Sequence, residues 1–135
     1  MIMSSFTEPL DIRVLQREKN GAGMYQLLCA FSYHLGSKRG TRYVRVPMGF
    51  TTDLASVPRL FRWLISPGGL HAKAAVVHDY LYERGVIFGP DGEEKPTRRH
   101  ADDIFLEAME VLQVPYVRRH VMYAAVRVFG GPLFD

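Results

Sequence analysis

Residues 74 to 82 read Ala74-Ala75-Val76-Val77-His78-Asp79-Tyr80-Leu81-Tyr82, an apolar run with an imidazole and a carboxylate side by side inside it. The run reads as a helix from about Leu70 to Arg84. Ala74, His78 and Leu81 fall on one face of it, and Ala75, Asp79 and Tyr82 on the adjacent one. Gly85 stops the helix, and Ser66-Pro67-Gly68-Gly69 precedes it as a turn. Packing alone gives a core helix no use for a His-Asp pair, so the pair marks a candidate site.

Downstream, Phe88 to Pro96 has the composition of an exposed loop, with a tight hairpin about Asp91-Gly92. Thr97 makes an N-cap for a helix through Val111 or Leu112, in which Ala101, Ile104, Phe105, Ala108 and Leu112 trace a buried stripe with Asp102 beside it. A last helix, roughly Tyr116 to Phe129, presents Val117, Val121, Ala124, Ala125 and Val128 to the core and ends at Gly130-Gly131-Pro132.

Upstream, Thr51-Thr52-Asp53 followed by Ser56 and Pro58 reads as a turn. Asp53 or Ser56 caps a short helix carrying Leu60, Phe61, Trp63, Leu64 and Ile65. Earlier still, residues 11 to 17 alternate apolar and polar side chains, Lys19 to Gly23 supplies a turn, and Met24 to Tyr33 runs apolar, which together predict a β-hairpin. Thr41 to Pro47 is a third strand that Pro47 ends or places at an edge. The expected fold is α+β in one domain: a small antiparallel sheet over about residues 8–48, then about three to four helices over residues 49–135 that carry the site.

Composition narrows the class. A chain of 135 residues with 47% apolar content is long enough for one packed core. The formal charge of +3 and pI near 9.2 come from scattered basic residues, which gives no specific nucleic-acid signal. The single cysteine, Cys29, excludes an intrachain disulfide framework. The opening MIMSSFTEPLDIR lacks a basic start followed by an apolar block, and no stretch reaches the roughly 18 apolar residues of a transmembrane helix. Synthesis and folding in the cytoplasm are the expectation.

A histidine held at one ring nitrogen by a carboxylate is a general-base arrangement, because the carboxylate fixes the tautomer and stabilises the imidazolium. His78 and Asp102 supply that dyad if their helices pack antiparallel. Asp79, about 100° further round the helix, is placed to reach a hard cation such as calcium, with backbone carbonyls of Gly68 and Gly69 completing the coordination. Asp53 is either a turn aspartate or a substrate or metal contact. Trp63 is either core or the wall of an apolar pocket for an acyl chain. Tyr82 joins these two on the substrate side. The bland readings stand beside these: a core histidine bonded inside the fold, Asp79 paired with Arg99 or Arg127, and Asp102 as a carboxylate near a helix N-terminus. A zinc site from His71, His78 and a carboxylate has neither a cysteine nor HExxH spacing behind it.

The stretch from Ala74 to Tyr82 resembles the CCxxHDxCY pattern of secreted phospholipase A2 enzymes, with Ala74, Ala75 and Leu81 in place of the cysteines. Ala101-Asp102-Asp103-Ile104-Phe105 resembles the second, CDxxF-like pattern of that family, which lies on an antiparallel helix. This resemblance implies His78 as base for an attacking water, Asp79 as calcium ligand, Asp102 as orienting carboxylate and a lipid or other ester as substrate. From about Arg42 to Gly130 the chain is also similar to a family of small phage and prophage proteins of uncharacterised function. The similarity runs through VPMGFTTDLASVPRLF, PGGLHAKAAVVHDYLY, RRHADDIFLEAM and MYAAVRVFGG. That implies a phage origin, synthesis in the host cytoplasm, and association with the virion and its tail proteins. Three functions follow: a small calcium-assisted hydrolase, a structural or assembly component of a phage tail, and a host-directed binding protein.

Overall fold

The computed structural model describes residues 6–17, 23–36, 40–52, 71–83 and 85–134. Asp53, Trp63, Gly68, Gly69 and the short helix expected over residues 60–65 lie outside the described residues.

The expected hairpin is present. Strand β1 (Ile12–Arg17) pairs antiparallel with β2 (Gly23–Leu27), Ile12 opposite Leu27 and Val14 opposite Tyr25. The apolar run beyond β2 is not one strand, however. It breaks at residues 28–30, where Leu28 N–H donates to Asp11 O, and resumes as β3 (Phe31–His34) in a different sheet. Burial explains the break. Tyr25 and Leu27 alternate with less buried neighbours, as in a strand with one wet face, whereas Phe31, Ser32 and Tyr33 are all buried, as in a strand covered on both sides.

Strand β4 (Tyr43–Val46) pairs with β3, Tyr33 opposite Val44, and ends at Pro47 as expected. A short β5 (Thr51–Thr52) joins the first sheet with Thr52 opposite Tyr25, giving the order β1-β2-β5. Helix α1 (Ala72–Glu83) follows, with nine of its 12 residues buried.

The tight hairpin expected about Asp91-Gly92 is present, and its arms, expected as loop, are strands β6 (Ile87–Gly89) and β7 (Gly92–Glu94), which extend the second sheet to β3-β4-β6-β7. Gly92, at φ 108°, supplies the turn that the Asp91-Gly92 dipeptide signals. The β7 side chains are exposed, which is why their polarity reads as loop.

Helix α2 (Arg98–Val111) has the expected N-cap, Thr97 Oγ1 accepting from His100 N–H at 3.1 Å. Ala101, Ile104, Phe105 and Ala108 are buried on it as expected, with Leu112 half-buried just past its end.

Helix α3 (Tyr116–Phe129) has the expected bounds and buries Ala125 as expected, but its inward face is turned away from the rest of the expected stripe. Met122, Ala125 and Val126 are buried, whereas Val117, Val121, Ala124 and Val128 face out. Tyr123 Oη donates to Asp103 and Arg127 Nη1 to Asp102, both on α2. Those bonds fix the side that α3 turns toward α2, and the valine stripe lies about a third of a turn away.

The fold is thus α+β, two antiparallel sheets with three helices among the described residues. One buried apolar cluster takes Tyr33 and Val44 from the second sheet, Leu27 from the first, Leu81 from α1, Phe105 from α2 and Met122 from α3.

Candidate functional site

Contacts between α1 and α2 run in opposite senses. Arg98 meets Tyr82, Asp102 meets both Tyr82 and His78, and Phe105 meets His78, so the two helices are antiparallel. That arrangement brings the imidazole and carboxylate together. His78 Nε2 lies 2.6 Å from Asp102 Oδ1, and both side chains are wholly buried. The His78 ring stacks on Phe105 at a centroid distance of 4.6 Å and leans on Tyr82 at 4.2 Å, so its plane is fixed by packing as well as by the hydrogen bond.

Asp102 is the hub. Tyr82, one helical turn beyond His78, donates its hydroxyl to Oδ1 at 2.5 Å, and Arg127 from α3 donates to Oδ2 at 2.8 Å. Burial alone would push the Asp102 carboxyl upward. The hydrogen bonds from His78, Tyr82 and Arg127 outweigh that and hold it below its ordinary value. Burial and the bond to Asp102 in turn push the Tyr82 hydroxyl well up, so Tyr82 stays a donor.

Arg98 closes the arrangement from behind. Its Nε is 3.4 Å from Tyr82 Oη, and its Nη2 donates to the carbonyls of Val126 and Arg127 at 2.9 and 2.5 Å. A guanidinium on the last carbonyls of α3 both caps that helix and meets the negative end of its dipole.

Asp79 does not share this hub. It is buried, and its Oδ2 accepts from the Thr52 hydroxyl, which ties α1 to β5. Arg127, weighed in the sequence as a partner for Asp79, bonds Asp102 instead. Among the described residues no group of three or more His, Cys, Asp or Glu side chains stands close enough to hold a metal ion. Asp79 is the one described member of the expected calcium set, since Gly68 and Gly69 lie outside the described residues.

His71 also stands apart. It is buried at the foot of α1 with both ring nitrogens unpartnered among the described residues, and burial, then the charge of Arg118, pushes its imidazole down.

Of the residues singled out in the sequence, the structure brings His78, Tyr82 and Asp102 into one network and sets Asp79 beside it. Arg127, Arg98, Thr52 and Phe105 complete the surroundings. Phe105 was legible as core and Thr97 as cap, but nothing in the spacing of Arg127 or Thr52 announces their partners.

The fold and site define an α+β protein built about a buried His-Asp-Tyr-Arg network. The chain belongs to DUF1353, a family of proteins of unknown function whose model matches residues 25–126. That span holds His78, Asp79, Tyr82 and Asp102. No match is found among curated proteins or among solved structures.

Proposed function

We propose that the chain is a small hydrolase of ester bonds in which His78 is the general base and Asp102 its orienting carboxylate. The 2.6 Å contact between His78 Nε2 and Asp102 Oδ1, made across two antiparallel helices, carries this reading. In that role the imidazole takes a proton from water. The water oxygen attacks the ester carbonyl, and the proton passes from the imidazole to the departing alcohol oxygen as the carbon–oxygen bond breaks. Asp102 stabilises the imidazolium in between. Tyr82 and Arg127 keep the carboxylate ionised and still. The likeness of Ala74–Tyr82 and Ala101–Phe105 to the paired phospholipase A2 patterns supports phospholipid esters as the substrate class. The phage resemblance supports a setting at a bacterial envelope.

The test is release of fatty acid from phosphatidylcholine and phosphatidylglycerol micelles, with calcium and with chelator, by wild type and His78→Gln. Loss of a positioned base should lower turnover by about 10² to 10⁴ while the circular dichroism spectrum is kept. Release that His78→Gln leaves intact overturns the proposal.

The complete burial of His78 and Asp102 favours a second reading, in which the network is a structural device of an assembly protein. On that reading wild type releases nothing, and His78→Gln lowers only the melting midpoint, by the equivalent of about 1–3 kcal/mol for the partner left unsatisfied.

A further inference from the structure

His78 and Asp102 have no exposed surface, so an ester reaches the imidazole only where something covering it moves. One line of side chains leads from the imidazole to solvent. The His78 ring lies 4.2 Å from Tyr82, Tyr82 lies 5.2 Å from Phe134 with the two rings edge to face, and the Lys95 ammonium stands 5.6 Å from the Phe134 ring centre. Exposure rises along that line: Tyr82 is 1% exposed, Phe134 is half-buried and Lys95 is exposed.

The covers of the site are not held alike. Tyr82 sits in α1 with its hydroxyl bonded to Asp102. Arg127, which reaches Asp102 from α3, is fixed by an ion pair at 2.8 Å. Phe134 belongs to neither a long helix nor a strand. It follows a single turn, Gly131–Leu133, beyond Gly130 where α3 stops. Among the described residues its one hydrogen bond, N–H to Gly131 O at 3.3 Å, closes that same turn. Its ring contacts, those with Tyr82 and Lys95 among them, are what tie it to the body of the molecule. Such contacts are individually weak, so this is the cover that opens at least cost.

We propose that residues 131–134 gate the His78–Asp102 site: Phe134 lifts from Tyr82, Tyr82 turns into the space it leaves, and the imidazole meets solvent. Closed, the segment keeps bulk water from a buried base, and open, it admits a substrate. The gate is the regulation of the site in the hydrolase reading and rests on that reading for its use. Exposure of His78 is read without turnover, however, so the two fail separately: a gate that opens on a protein that releases no fatty acid removes the hydrolase and leaves the gate.

The experiment is acylation of the full chain by diethyl pyrocarbonate at neutral pH, followed histidine by histidine by mass spectrometry of its peptides, for wild type, Phe134→Ala and Phe134→Tyr. His71, buried at the foot of α1, is the reference for opening of the whole fold. Phe134→Ala should raise the acylation rate of His78 about tenfold or more and leave that of His71 at its wild-type value. Phe134→Tyr keeps the ring and should match wild type. An unchanged rate at His78 in Phe134→Ala overturns the gate, as does Phe134→Tyr opening as far as Phe134→Ala. A rise at His78 and His71 together also overturns it, because Phe134 then holds the whole fold and not one side of the site.

Discussion

Asp102 has no exposed surface and yet sits in the folded state as an anion, because three donors converge on its two oxygens. A buried carboxylate with fewer partners would keep its proton instead. The folded protein therefore holds the Asp102 proton less tightly than the unfolded chain does. Stability from this residue is complete above the ordinary carboxylate value of 3.8 and is lost as pH falls below it through the lowered folded value. Asp102→Asn should be less stable than wild type at neutral pH, with the gap in urea midpoint closing as pH is taken below about 4. A gap that stays constant to pH 2 would show that the folded-state carboxylate carries no such charge. At this scale the sequence was informative where chemistry contradicted burial. His78 stood out because it interrupts an apolar run, and Asp102 because it lies beside the buried stripe of its helix. Arg127 did not, since an arginine in the last turn of a helix is ordinary, and only the rotation of α3 decides that it reaches Asp102.

That rotation belongs to the elements. Helix bounds were legible because caps and stops are local, as Thr97 before α2 and Gly130 after α3 illustrate. The inward face of α3 was not, because the helix has two apolar sides and the choice between them is made by Asp102 and Asp103 on another helix. The break after β2 escaped for a similar reason: Met24 to Tyr33 is apolar apart from Gln26 and Ser32, and only the neighbours found in three dimensions divide it between two sheets. The junction where α3 ends against α1 can be tested. Gly130 has an ordinary φ of −78°, so its lack of a side chain matters for space and not for backbone conformation. A Cβ there would meet Val126 O at 2.5 Å and Tyr82 Oη at 2.8 Å. Gly130→Ala should thus push Tyr82 off Asp102 and cost about 1–3 kcal/mol in urea unfolding. Gly131→Ala, whose nearest neighbour is an Arg98 nitrogen at 3.5 Å, serves as the control and should be close to neutral. Equal midpoints for the two variants would mean that the helix end yields freely and that Tyr82 is not held there.

In the molecule as a whole, the sheets and helices are tied by polar bonds as well as by apolar packing. Tyr33 of β3 donates to Glu107 of α2, and the Thr52 hydroxyl of β5 donates to Asp79 of α1. Glu107 also accepts from Gly36 N–H at 2.9 Å, so one carboxylate anchors the end of the second sheet to the middle of a helix. Helix α1 lies between these ties, buried nearly all round, and the sheets and the other two helices share its apolar cluster. Opening the first sheet would uncover Asp79, and opening α2 would uncover His78, so neither part loses its partner without exposing a buried ionisable group of α1. The two parts should therefore unfold together, with the far-ultraviolet signal of the helices and the near-ultraviolet signal of the packed tyrosines falling at one urea midpoint. Thr52→Val and Glu107→Gln should move both signals by the same amount. A near-ultraviolet transition that precedes loss of the helices would mean that the sheets come away first and that the His78–Asp102 pair survives on α1 and α2 alone.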